Sequence, residues 1–246
     1  MTTRPTVLLV GGTGRTGGRV LRELLARDVH VRAVARSRAR LPASSAGNPN
    51  LTVTEASLLA LREDELQQLV RGCDAVVSCL GHVLDFKGIF GPPRDLVTQA
   101  TTRLCRAIEA VGGPTPVKFV LMSSVSVHRS RDLDARRGSL ERAFLAVLRR
   151  LVPPAADNQR AADFLRTQIG PEHAAVRWVV VRPDTLLDGD VTPYALHEAL
   201  VDSLFEPGST RMANVAHFMA ELVTNPETWS AWASKLPVIV DAPPRS

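Results

Sequence analysis

The stretch "VLLVGGTGRTGGRVLRELL", residues 7–25, decides the fold. Four apolar residues, Val7 to Val10, run into a glycine cluster, and a helical pattern follows at once. Gly11, Gly14 and Gly17 form G-x-x-G-x-x-G between an expected strand and an expected helix. In such a turn the first glycine permits the tight bend and the second lets backbone approach a pyrophosphate. The third lets helix and strand pack closely. The helix N-terminus then offers unpaired N–H groups and the positive end of its dipole to phosphate. The pattern predicts a dinucleotide-binding turn; the competing reading is a tight βα turn with no ligand.

Outward from this turn, apolar runs alternate with helical patterns. Strands are expected at residues 6–10, 30–35, 51–54, 74–80, 117–123, 176–182 and 236–240. Helices are expected at 15–27, 62–71, 95–111, 140–151, 157–169 and 213–224. Near-continuous apolar strands suit a sheet buried on both faces, and alternation with helices argues for right-handed βαβ units. The expected fold class is α/β, a Rossmann-type doubly wound parallel sheet of about seven strands with helices on both faces. Residues 1–246 read as one dinucleotide-binding domain. The segments 81–94 and 125–156 interrupt the rhythm, and together with 184–210 they are assigned to an acceptor site. In "SLERAFLAVLRRLVPP", Leu140, Phe144, Leu148 and Leu151 recur at helical spacing. A helix packed over the domain or forming a homodimer contact is favoured over one lying on a membrane.

Composition narrows the function classes. With 246 residues, 45% hydrophobic and 22% charged, the chain suits a soluble globular protein. No apolar run approaches the roughly 18–20 residues a membrane span needs. The N-terminus lacks the order of a signal peptide, so the expected location is the cytoplasm. Cys73, Cys79 and Cys105 lack metal-binding spacing, so no metal is expected. The formal charge is +5, but the arginines are scattered and aromatics make up 4% of the chain. That argues against nucleic acid and for an anionic small molecule.

The second expected strand ends in "AVARSRAR", residues 33–40. A carboxylate there would grip the ribose 2′-hydroxyl of NAD. Arg36 and Arg38 stand in its place, and Arg15 lies inside the glycine turn. Arginine forks match phosphate, so NADP(H) is preferred over NAD(H).

These residues carry a resemblance. The chain resembles the atypical short-chain dehydrogenases/reductases of the NAD(P)H-binding, NmrA-like group. "VGGTGRTG" is similar to that group's glycine turn, "CDAVVSCLG" to its fourth strand, and "VKFVLMSSVSVH" to its fifth strand with the Ser-Ser end. "RAADFLRTQIGPEHAAVRWVVVRPDTLL" and "STRMANVAHFMAEL" resemble its later segments, so the likeness spans about residues 5–240. The resemblance implies that Gly11, Thr13, Gly14, Arg15, Thr16 and Gly17 hold the pyrophosphate and that Arg36 meets the 2′-phosphate. It places Ser57 and Leu58 beside adenine, with Ser57 where the group often has a carboxylate. Cys79, Leu80 and Gly81 would line the adenosine ribose. Ser123 and Ser124 would lie near nicotinamide, backed by Arg182, Pro183 and Asp184.

The superfamily's usual catalytic pair is Tyr-x-x-x-Lys. The only tyrosine here is Tyr194, followed four residues later by Glu198. Aligned on "RAAD", Ala156 takes the tyrosine position and Arg160 the lysine position, where arginine can hold a ribose or phosphate. Ser124, as an orienter of a carbonyl, and His128, as a group titrating near neutrality, are the catalytic residues expected; His82 is a further imidazole at the cleft. The chain reads as an NADPH-dependent oxidoreductase acting on a small organic acceptor. The alternatives are a non-catalytic NADP(H)-binding redox sensor and a non-redox isomerase or dehydratase.

Overall fold

The computed structural model describes residues 4–81, 92–128, 153–201 and 208–242. β1 (Thr6–Val10) pairs in parallel with β2 (His30–Ala35) on one side and β4 (Ala75–Ser78) on the other. β2 continues to β3 (Leu51–Glu55); β4 continues to β5 (Val117–Met122) and then β6 (Val176–Pro183). The strand order is therefore β3-β2-β1-β4-β5-β6, extended by β10 (Val238–Asp241) and β8 (Tyr194–His197). The order reverses between β1 and β4, and a doubly wound sheet binds its ligand in the crevice at such a switch point.

Alternation along the strands fills both faces. Leu8, Val10, Val76, Phe119, Leu121 and Val180 pack with α2 (Glu63–Val70), α3 (Leu96–Val111) and α4 (Pro153–Phe164). Val7, Leu9, Val77, Val120, Val179 and Val181 face α1 (Arg15–Ala26) and α5 (Met212–Thr224). Successive residues of one strand thus enter opposite cores, so each strand reads as an unbroken apolar run.

All seven expected strands are present. The sheet has one more, β8, which runs antiparallel to β10 at the edge. Two short strands, β7 (Thr185–Leu187) and β9 (Ser209–Arg211), form a separate parallel pair. α6 (Pro226–Trp232) is also additional; Asn225 caps it by accepting the N–H groups of Glu227 and Thr228. The helix expected at 157–169 starts earlier, at Pro153, and finishes in a π-helical turn, Leu165–Ile169. The helix expected at 140–151 lies outside the described residues, as do His82 and most of the 81–94 loop.

One contact fixes α3 beneath the site. Asp157 of α4 is fully buried, and its carboxylate accepts the N–H groups of Val97 and Thr98 at 2.8 and 3.0 Å and the Thr98 hydroxyl at 2.6 Å. It therefore caps the first turn of α3 from 60 positions away, where an anion also meets the helix dipole favourably. Asp157 thus caps a helix other than its own.

Candidate functional site

The site is built around the glycine turn. Gly11 has φ +82, and a Cβ there would stand 2.5 Å from the Cys79 carbonyl and 2.7 Å from the Leu80 nitrogen. At Gly17 a Cβ would stand 2.1 Å from the Gly11 oxygen. The turn, the end of β4 and the start of α1 are thus in backbone contact, with the Gly14 N–H donating to the Gly11 carbonyl at 3.0 Å. Gly14 and Arg15 are exposed at the crest, Thr13 is half-buried and Thr16 is buried. α1 carries no acidic residue in its first turn and no side-chain cap. Its leading N–H groups are oriented for an anion, and the cradle that a Cβ would fill suits a pyrophosphate.

Two arginines of this turn are engaged. Arg15 and Arg19 each place one guanidinium nitrogen on the Asp188 carboxylate, at 2.6 and 2.5 Å. Arg19 also donates to the Arg15 carbonyl at 2.9 Å. Hydrogen bonding from Arg15 holds the Asp188 carboxyl below the usual range, with the charges of Arg15 and Arg19 acting in the same direction.

On the β2–β3 side of the turn, Arg36 is exposed at the end of β2 and makes no hydrogen bond or ion pair among the described residues. The next turn is held by Glu55, at the end of β3, which accepts the Arg38 N–H at 2.5 Å. Sequence reading missed Glu55; its only signal is a carboxylate ending the strand beside the one that lacks it. Ser57 is exposed, whereas Leu58 is buried in the core. Arg103 of α3 clamps this turn, donating to the Leu59 carbonyl at 2.9 Å and to Glu63 at 2.9 Å. Cys79 and Leu80 lie under the glycine turn, and Gly81 is exposed beyond them. Burial pushes the Cys79 thiol up to about 12, which leaves it a packing group and not a nucleophile.

At the other side of the switch point, Ser123 extends the β5–β6 pairing through its N–H to the Val181 carbonyl at 2.8 Å. Its hydroxyl is buried and has no hydrogen-bond partner among the described residues. An unpaired buried polar atom at a strand's carboxyl end fits a site that takes a polar ligand. The Ser124 hydroxyl lies 2.6 Å from the Ser126 hydroxyl. Gln159 fixes the His128 backbone, accepting its N–H at 2.9 Å and donating to its carbonyl at 3.1 Å. The Pro183 carbonyl accepts the Val125 N–H at 3.1 Å, joining β6 to the same loop. Arg182 is fully buried and donates to the carbonyls of Leu236, Val127 and Glu198, so it braces three segments behind the cleft. Arg160 is half-exposed on α4, 3.9 Å from Asp157.

Tyr194 takes no part in this constellation. It packs with Phe218 and pairs its hydroxyl with His217 of α5 at 3.0 Å. Burial, with the Glu221 charge nearby, pushes its phenol up to about 12. A proton-shuttling tyrosine needs the opposite shift. The unfolded chain ionises first, at about pH 10. Stability tied to Tyr194 is therefore intact below that pH and falls as pH rises toward about 12. Tyrosinate absorbance of the folded protein is expected to appear well above pH 10; appearance near or below that pH would contradict this placement.

Among the described residues no cluster of His, Cys, Asp and Glu side chains is placed to hold a metal, and no helix is long and apolar enough to cross a membrane. The sequence pattern that defines the NAD(P)H-binding family matches residues 11–226. No curated protein matches the sequence. Similar solved structures include an oxidoreductase from Lactococcus lactis, 18% identical over 96% of this chain and 91% of that one, with a TM-score of 0.68. A short-chain dehydrogenase/reductase from Veillonella parvula in complex with NADP is 13% identical over 98% of this chain and 96% of that one, with a TM-score of 0.70. An NADH-flavin reductase candidate from Streptococcus pneumoniae is 17% identical over 97% of this chain and all of that one, with a TM-score of 0.65. At these identities the likeness is one of fold.

Proposed function

Because the chain belongs to the NAD(P)H-binding family, we propose that it is an NADPH-dependent reductase of a small organic acceptor. The observation that carries the NADPH preference is Arg36, an exposed guanidinium ending β2 where a carboxylate would select NAD. The glycine cradle of Gly11, Gly14 and Gly17 and the open end of α1 would hold the pyrophosphate. Leu58, Cys79, Leu80 and Gly81 would line the adenosine half, with Ser57 at its edge. Ser123 and Pro183 would flank the nicotinamide half, and Arg160 would reach toward the ribose or a phosphate. NADP(H), when bound, supplies the hydride.

The protein's own residues then orient the acceptor and manage a proton. Ser124 Oγ is steadied by Ser126 at 2.6 Å and would orient an acceptor oxygen. His128, its backbone pinned by Gln159, is an imidazole on the same loop and would supply the proton where the acceptor does not take it from water. A second reading is favoured by the same site: Ala156 and Arg160 replace the usual tyrosine and lysine, and Tyr194 is tied to His217. In that reading the protein senses the NADP/NADPH ratio and reports it to a partner.

Oxidation of NADPH and of NADH with menadione, flavin mononucleotide or an α,β-unsaturated ketone separates the two. Faster oxidation of NADPH with at least one acceptor is expected. Tight NADPH binding with no turnover on any of them would overturn the reductase reading in favour of the sensor.

A further inference from the structure

We infer that Asp188 is a built-in competitor for the cofactor's pyrophosphate, an affinity-determining residue that occupies the two arginines of the glycine turn until phosphate replaces it. The inference rests on the NADP(H) reading above.

Asp188 follows β7 and comes to α1 from 173 positions away. Arg15 is the first residue of α1 and Arg19 lies one turn further, so its carboxylate spans the first turn of that helix. The helix has no acidic residue of its own there and no side-chain cap at Gly14. The helix dipole and the two guanidiniums therefore draw an anion to this end, and among the described residues Asp188 is the carboxylate that answers. A pyrophosphate cradled by Gly11, Gly14 and Gly17 would seek the same end and the same arginines. It carries two negative charges against one.

The contact is built to exchange. The side chains of Arg15 and Asp188 are 68% and 64% exposed, and exposed ion pairs of this kind are weak and screened by salt. Arg19 is the less exposed partner, its side chain 23% exposed, and phosphate would replace Asp188 there as its counter-charge. Removing the carboxylate then removes the competitor and raises the positive potential at the turn.

The test is Asp188→Asn, with binding of NADP+, ADP-ribose and adenosine 2′-monophosphate measured by calorimetry at low ionic strength and again in molar salt. The variant is expected to bind NADP+ and ADP-ribose more tightly, by roughly 3- to 10-fold, at low ionic strength. The gain should shrink in molar salt. Adenosine 2′-monophosphate lacks the pyrophosphate, so its affinity is expected to stay unchanged. Adding Arg19→Ala to the variant should remove most of the gain. Equal or weaker binding of ADP-ribose by Asp188→Asn would overturn the inference and make the pair a strut. A gain of the same size for adenosine 2′-monophosphate would also overturn it, as general electrostatics. Wild type and variant both failing to bind NADP+ and ADP-ribose would instead overturn the cofactor reading, and this inference with it.

Discussion

Alanine at Gly17 is expected to lower both the melting temperature and the NADP(H) affinity, whereas alanine at Gly14 is expected to lower chiefly the affinity. The difference lies in what each new Cβ meets. At Gly17 it would stand 2.1 Å from the Gly11 oxygen, 2.8 Å from the Gly11 carbonyl carbon and 3.1 Å from the Cys79 Cβ. Two of these are backbone atoms of the turn itself, so α1 must move away from β1. Overpacking of this kind costs about 3 kcal/mol, which lowers Tm by roughly 6–12 °C in a chain of this size. At Gly14 the Cβ would meet only the Gly11 oxygen, at 3.3 Å, and φ −80, ψ 167 is open to any residue. Losing glycine at the helix cap costs at most about 1 kcal/mol. Yet Gly14 is exposed at the crest, where backbone has to approach the pyrophosphate. A methyl group there is expected to weaken NADP+ binding roughly tenfold or more, about 1.4 kcal/mol per factor of ten. Thermal melts and fluorescence titration of the two variants check this. Wild-type NADP+ affinity in Gly14→Ala would detach the turn from the cofactor.

The glycine turn was readable because its chemistry is local: three glycines, a strand before them and a helix after them fall within 19 residues. The seven main strands were readable for a related reason. Strands buried on both faces need no alternation, so "TVLLV" and "AVVS" stand out as apolar runs. β8 hid because "YALH" is half-buried throughout and lies at the edge beside one neighbour. β7 and β9 are three residues each, too short to show a period. α6 left a signal that went unread, Asn225 followed by Pro226 at the first helical position.

What sequence reading missed at the site is carried by contacts between distant residues. Asp157 satisfies the start of α3 across 59 and 60 positions, and Asp188 reaches Arg15 and Arg19 across 173 and 169. Arg103 clamps the turn after β3 from 44 positions away. None of these residues belongs to a spacing rule. Each is a charged side chain whose meaning appears only when folding brings an unsatisfied backbone group or an opposite charge beside it. The motif therefore marks a candidate cofactor turn, while the long-range contacts around it show only in the folded chain.

Arg36→Ala is expected to weaken NADPH binding by roughly 10- to 100-fold, as removal of a charge-assisted pair worth about 1.5–3 kcal/mol would do. NADH affinity should move by less than about twofold, because NADH lacks the phosphate that the guanidinium would meet. The geometry around the neighbouring arginines shows why Arg36 should carry most of this effect. Arg15 stands at the start of α1, where Asp188 meets it and where the pyrophosphate would compete for it. Arg38 has its N–H on Glu55 and its guanidinium 3.4 Å from the Val53 carbonyl. Arg36 is exposed at the end of β2 with no such commitment among the described residues, so its charge remains available to a 2′-phosphate. The Glu55 contact holds the turn after β2 in place, so the fork is presented on a fixed backbone and less ordering is needed on binding. Arg36→Lys should recover only part of the loss, because an ammonium keeps the charge but not the bidentate fork. Arg38→Ala should cost less than Arg36→Ala. Calorimetric titration of the three variants with both cofactors decides the assignment. Equal loss of NADPH and NADH in Arg36→Ala would move that arginine from the 2′-phosphate to a part of the dinucleotide that both cofactors share. Selectivity for NADPH would then have to rest on Arg38.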